Sequence, residues 1–232
     1  MNAEERAGLW RALSDIEDWV SGGARHERPR PDFEAAASAP GRGLSGGGLE
    51  AIAAEVRACR ACPLASTRKN PVPGEGVQSP LVLVVGEGPG AEEDESGRPF
   101  VGPAGRLLDK MLASIGLSRE TNCYIGNIVK CRPPRNRDPE SLEREACMPF
   151  LRRQIEVLNP RAILCLGRVA AQALLGTTQG IGSLRGSFRD FEGRKLIATY
   201  HPSALLRDEE LKRPAWEDLK KLREFLGADA RP

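Results

Sequence analysis

Six cysteines, two histidines and one acidic run are the groups in this 232-residue chain best suited to do chemistry, and their spacing sorts them. Cys59 and Cys62 form a C-x-x-C pair, two thiolates close enough to grip one metal centre. Cys131 and Cys147 follow in a basic loop and the helix behind it, whereas Cys123 and Cys165 lie inside apolar strands, where a small buried thiol needs no further role. Cys59, Cys62, Cys131 and Cys147 are therefore the candidate ligand set. Four thiolates suit zinc or an iron–sulfur cluster, and a spacing with only one close pair leaves both open. Of the histidines, His26 falls in a low-complexity stretch, so His201 is the imidazole of the folded body. It stands at a strand end, before a proline that fixes the backbone.

A second constellation surrounds Gly86-Glu87-Gly88-Pro89-Gly90, which closes the apolar run Leu81–Val85. Glycines there let the chain turn sharply and approach a ligand closely. The acids Glu92 to Glu95 follow, and they argue against a phosphate cradle, as does a spacing that matches neither Gly-x-Gly-x-x-Gly nor a P-loop. Downstream, Asn127 stands near the end of a second apolar segment, Asn122–Val129. Lys130, Arg132, Arg135 and Arg137 then place four positive charges in eight residues without an acid, which reads as a phosphate-contacting loop.

These groups need a scaffold. Leu81–Val85 is an unbroken apolar, valine-rich run of the kind buried on both faces of a parallel sheet. Further strands are expected at 122–129, 161–166, 188–191 and 195–200, the last two around a Glu192-Gly193 turn. Helices are expected from Leu49 to about 58, and at 104–115, 141–158, 169–175 and 214–226. Strands alternating with helices imply an α/β fold, a three-layer α/β/α sandwich with a mainly parallel central sheet. Ahead of that body, residues 1–20 carry Leu9, Leu13, Ile16 and Val20 on one helical face. Between them and the body, Gly, Pro, Ser and Ala fill 18 of the 28 positions from Ser21 to Gly48, a flexible linker by composition. The globular domain is thus expected over 49–228. A net charge of +2 gives no global field for nucleic acid, so any such contact must be local. With no apolar run of membrane-spanning length and no signal-peptide pattern, the expectation is a cytoplasmic, monomeric protein that makes no membrane contact.

Gly86-Glu-Gly-Pro-Gly-x-x-Glu-Asp94, Gly97-Arg-Pro-Phe-Val-Gly102, Asn127-Ile-Val-Lys-Cys-Arg-Pro-Pro134, His201-Pro-Ser-Ala-Leu-Leu206 and the four cysteines together resemble the family 4 uracil-DNA glycosylases. The likeness runs from about Leu49 to Leu226. It implies a repair enzyme that flips uracil out of DNA and hydrolyses its N-glycosidic bond, leaving an abasic site, with a [4Fe–4S] cluster on Cys59, Cys62, Cys131 and Cys147; zinc is the alternative. It also implies roles. Phe100 stacks on the base, Asn127 reads its N3/O4 edge and His201 donates to O2, with backbone N–H groups near Glu87 and Gly88 adding hydrogen bonds. Glu93 or Asp94 orients water, or bulk water suffices. Ser203, Leu205 and Leu206 meet the DNA backbone and the vacated stack, and Lys130, Arg132, Arg135 and Arg137 hold phosphates. A rival reading, a non-catalytic iron–sulfur or zinc DNA-binding module, would bind DNA without releasing base.

Overall fold

The computed structural model describes residues 48–227; the expected leading helix at 1–20 and, except for Gly48, the expected linker at 21–48 lie outside the described residues. In chain order the elements are α1 (Leu49–Ala58), β1 (Glu75–Gly76), β2 (Val82–Gly86), α2 (Ala91–Ser96), α3 (Pro103–Ala113), β3 (Cys123–Asn127) and α4 (Ser141–Leu158). There follow β4 (Ala162–Leu166), α5 (Arg168–Leu175), α6 (Ile181–Leu184), β5 (Phe188–Phe191), β6 (Arg194–Thr199), α7 (Pro202–Arg207) and α8 (Lys212–Leu226).

The strands form one sheet in the order β1-β3-β2-β4-β6-β5. The four inner strands run parallel, and the two edge strands are antiparallel to their neighbours. Every residue of β2, β3 and β4 is buried, as expected of strands covered on both faces. Alternation along β2 shows the layers. Leu83 and Val85 join a cluster with Ile52 and Val56 of α1, Leu151 and Ile155 of α4 and Ala170 of α5. Val82 and Val84 point the other way, into a cluster with Leu108 and Leu112 of α3 and Leu219, Leu222 and Leu226 of α8. The result is the expected three-layer α/β/α sandwich.

Four elements are not among the sequence expectations: the short helices α6 and α7, the strand β1 and the helix α2. β1 is a two-residue edge with no pattern to announce it. The acidic segment after Gly90 is the helix α2 rather than a loop. Its start is closed by Glu93, whose Oε2 accepts from the Gly90 N–H at 3.1 Å, and its end by left-handed Gly97. Acids in a first turn also favour the helix electrostatically. No helix among the described residues is long and apolar enough to cross a membrane.

Candidate active site

Parallel register brings the site together. Gly86 of β2 pairs with Asn127 of β3, Val85 with Cys165 of β4, and Leu166 with Thr199 of β6. The segments leaving these four strands therefore open on one edge, on both sides of β2, where open α/β sheets bind ligands. A cleft of about 570 Å³ lies there, lined among others by Glu87, Gly88, Glu93, Phe100, Asn127, Arg137, His201 and Ser203. That volume suits a small ring with part of its attached chain.

Asn127 is 1% exposed, and its side-chain Oδ1 is buried with no hydrogen-bond donor among the described residues. A buried carbonyl left without a donor costs about 1–3 kcal/mol, so an N–H brought by a ligand would relieve it. The Phe100 ring lies beside it. A Cβ placed on Gly86 would meet Asn127 Oδ1 at 2.4 Å and Phe100 Cζ at 2.6 Å, so the bare glycine is what lets both groups close on the same spot. His201 faces Phe100 with ring centroids 5.7 Å apart.

His201 is the N-cap of α7, with Pro202 at the first helical position. Its Nδ1 accepts from the Ser203 backbone N–H at 3.1 Å and lies 2.8 Å from Ser203 Oγ. A backbone N–H can only donate, so Nδ1 is unprotonated and the imidazole carries its proton on Nε2. Burial lowers the His201 pKa to about 4, with Arg207 adding to the fall and Glu93 opposing it, so the ring is neutral at physiological pH. A neutral ring with its proton on Nε2 can offer a hydrogen bond to the cleft without carrying a charge. The Glu87 carboxyl goes the other way. Burial raises it to about 7, helped by Asp138 and opposed by Arg168 and Arg144.

The acids expected to orient water part company. Glu93 lines the cleft, its Oε1 accepting from the N–H groups of Val101 at 2.9 Å and Gly102 at 3.0 Å. Asp94 is a correction: it is buried, does not line the cleft, and accepts through Oδ1 from the N–H groups of Lys69 and Asn70 at 2.9 and 3.3 Å. One residue further along α2 means a rotation of roughly 100°, enough to turn a side chain from cleft to body.

The basic loop also divides. Lys130 is 1% exposed, its ammonium donating to Asn127 O at 2.9 Å and Gln154 Oε1 at 2.7 Å, and burial lowers its pKa to about 8. It cannot reach a phosphate, which corrects the sequence expectation. It instead braces the backbone of Asn127. Arg137 lines the cleft, but its guanidinium is held by Glu143 at 2.7 and 2.8 Å and Glu140 at 3.1 Å, and this neutralises much of its charge. Arg132 donates to Asn136 Oδ1 at 2.8 Å, and Arg135 is exposed with a left-handed backbone. Leu205 is buried in the body, which corrects its reading as a DNA contact, while Leu206 is 50% exposed. Sequence reasoning did not single out Arg168 or Arg207, which both line the cleft. Arg168 pairs with Asp138, and exposed Arg207 has no hydrogen-bond or ion-pair partner among the described residues. Its signal was available, as the last residue of the His201–Arg207 segment.

The four expected ligand cysteines converge. Cys59, Cys62, Cys131 and Cys147 line one small cavity between α1, α4 and the loop after β3, and all six cysteines are free thiols. Three of the four sulfurs receive N–H donors: Cys59 from Ala61 N at 3.4 Å, Cys131 from Arg68 Nη1 at 3.0 Å, and Cys147 from Lys130 N at 3.2 Å. Such donors stabilise thiolates and tune sulfur ligands. Among the described residues no three His, Cys, Asp or Glu side chains are grouped so as to hold a single metal ion. Four thiol donors lining one cavity suit either zinc or an iron–sulfur cluster. Cys123 and Cys165 are buried in β3 and β4, and burial raises both thiols, Cys123 to about 12, as expected for inert core groups.

The chain matches the family model described as the uracil DNA glycosylase superfamily over residues 73–220. It is 46% identical to the type-4 uracil-DNA glycosylase of Thermotoga maritima, over 77% of this chain and 94% of that protein. The same identity and coverage hold for the type-4 uracil-DNA glycosylase of Archaeoglobus fulgidus. For the type-4 enzyme of Saccharolobus solfataricus the identity is 44%, over 78% of this chain and 87% of the relative.

Proposed function

Since the chain belongs to the uracil DNA glycosylase superfamily, in its type-4 branch, we propose that it excises uracil from DNA by hydrolysing the N-glycosidic bond, using the cleft at the carboxyl ends of β2, β3, β4 and β6. The observation that carries this reading is the buried Asn127 oxygen without a protein donor, facing the same spot as the Phe100 ring.

A base inside a duplex is out of reach, so the nucleotide must be extruded into the cleft. There Phe100 offers its face to the ring. Asn127 Oδ1 accepts from uracil N3–H and its Nδ2 donates to O4. Cytosine presents an acceptor at N3 and a donor at C4, so both contacts fail, and a site built on such contacts rejects the wrong base by roughly 10⁴-fold. Cleavage of the C1′–N1 bond leaves its electron pair on the base, and negative charge spreads to O2. The neutral His201 Nε2–H donates to that oxygen, a contribution of about 10²–10³ in rate for one preorganised donor. Water then adds to C1′ and releases its proton. Glu93, the acid of α2 that remains in the cleft, is the candidate to orient that water.

The finer readings belong to the same proposal. Cys59, Cys62, Cys131 and Cys147 hold a [4Fe–4S] cluster, a reading supported by their shared cavity and their N–H donors. When bound it ties α1 to the loop that follows Asn127, and no step of the excision passes through it. Arg135 and Arg207 carry the phosphate contacts with uncommitted charge, and Leu206 is the exposed apolar group that can fill the vacated stack. We take the protein to act as a monomer in the cytoplasm.

The test is single-turnover base release from a uracil-containing oligonucleotide at saturating protein, comparing wild type with Asn127→Asp. Ionised Asp has no donor for O4 and sets a charge beside the developing anion. Excision is therefore expected to fall by at least about 10²-fold with DNA binding retained. An unchanged rate would mean that the base sits elsewhere.

A further inference from the structure

Phe100 has φ +53°, a left-handed backbone that is strained for a bulky side chain and persists only where the surroundings impose it. Its surroundings do so on three sides. Arg119, in the turn between α3 and β3 and 7% exposed, donates from Nη1 to Pro99 O at 2.9 Å and from Nη2 to Phe100 O at 3.0 Å. Asp109 Oδ1 aims that guanidinium, accepting at 2.7 Å from Nη2 and 3.1 Å from Nε. From α3, Gly105 comes so near that a Cβ there would stand 1.9 Å from Phe100 O. Beyond Phe100, Glu93 Oε1 takes the N–H groups of Val101 and Gly102.

We propose that Arg119 is a positioning residue for base excision: its fork on the Pro99 and Phe100 carbonyls holds Phe100 in the left-handed conformation that presents its ring to the cleft. The inference rests on the uracil reading above and adds to it a residue that never touches substrate. A lysine could not replace it, because a single ammonium lacks the flat pair of donors that spans two successive carbonyls while a carboxylate holds the opposite edge. Without the fork the two carbonyls lose their buried donors, and the backbone at Phe100 relaxes toward negative φ and carries the ring with it.

The experiment is a double-mutant cycle of Arg119→Gln with Phe100→Ala. Its readouts are single-turnover uracil excision at saturating protein and, separately, DNA affinity. Arg119→Gln is expected to slow excision about tenfold or more, as misplacing a contacting group by a fraction of an ångström does, with affinity for DNA changed less than twofold. In the Phe100→Ala background the same substitution should cost less than about twofold, because the ring it positions is gone. Arg119→Lys should fall between wild type and Arg119→Gln. If Arg119→Gln does not fold, Asp109→Ala, which removes the oxygen that aims the guanidinium and leaves only the longer pairing with Glu75 at 3.7 Å, should show a smaller loss that likewise disappears without the ring. An equal loss in both backgrounds, or no loss in wild type, overturns the proposal. A crystal structure of the Arg119→Gln or Asp109→Ala protein gives a readout free of activity: Phe100 should leave positive φ, and a ring unmoved at φ near +53° overturns the clasp. Absence of uracil release by wild type would instead defeat the excision reading, leaving the crystallographic arm to decide this one.

Discussion

Gly86→Ala isolates the geometry of the proposed pocket with one methyl group. Gly86 ends β2 with an ordinary backbone conformation, so alanine brings no dihedral strain and acts only through the new Cβ. That atom would lie 2.6 Å from Phe100 Cζ, against about 3.5 Å for an unstrained carbon pair, so ring and strand must separate by roughly 0.9 Å. It would also lie 2.4 Å from Asn127 Oδ1, and both groups move away from the spot they frame. Overpacking of this kind costs roughly 1–3 kcal/mol of stability, which a folded domain of this size tolerates. Catalysis is more exposed, because a misplacement of about 1 Å can lower a rate about 10²-fold. The assay is single-turnover uracil excision at saturating protein, with DNA affinity measured in parallel. We expect a rate loss of about 10²-fold with affinity nearly unchanged. Gly182→Ala is the control, since nothing lies within 4 Å of its Cβ position in α6, and it should behave as wild type. A wild-type excision rate in Gly86→Ala would refute the placement of the base between Asn127 and Phe100.

Burial of the Glu87 carboxyl, raised to about 7, sets a carboxylate in the cleft only above that pH, where it opposes the developing uracil anion. The excision rate should therefore fall as pH rises through about 7, the fall should vanish in Glu87→Gln, and a rise instead would mark Glu87 as the base that activates water. His201, lowered to about 4, should add no inflection between pH 5 and 8. Its linkage to stability has a definite sign: the unfolded imidazole binds a proton below its ordinary value near 6.5 and the folded one does not. Stability from this group is thus whole above about 6.5 and declines as pH falls toward 4, a slope that pH-dependent unfolding of His201→Asn should lack. Cys59→Ala and Cys131→Ala are expected to abolish visible iron–sulfur absorption in anaerobically purified protein, whereas Cys165→Ala should retain it; stoichiometric zinc in a colourless, active protein would rule the cluster out. Arg135→Ala and Arg207→Ala should each reduce the slope of log affinity for DNA against log salt by about 1, and Lys130→Met, which removes a buried ammonium, should leave that slope alone.

Residue types and spacing by themselves determined the frame. An unbroken apolar, valine-rich run ending in Gly86 forecast the buried strand β2, since a strand covered on both faces is apolar at every position. Asn127 and His201 were placed at strand ends by the same reading, and parallel strands in one sheet must bring such ends to one edge. The C-x-x-C pair, the lone cysteines in polar surroundings and the two in apolar strands were likewise separable by local pattern. What only the tertiary structure decided is which side of its own backbone each long or charged side chain takes. Lys130 and Arg135 look alike in a basic run, yet one lies under α4 bonded to Gln154 and the other stands in solvent. Asp94 follows Glu93 and turns into the body, where the Lys69 and Asn70 amides wait for it. Arg185 is bound by Asp218 at 2.9 Å through two nitrogens, a pairing between residues 33 positions apart. Arg119 bore no sequence signal at all. Its role exists only because α3, through Gly105, crowds the Phe100 carbonyl against it. Short-range pattern encodes the period of an element and so its buried face. The partner of a buried polar group comes from elsewhere in the chain, and only folding brings the two within hydrogen-bond reach.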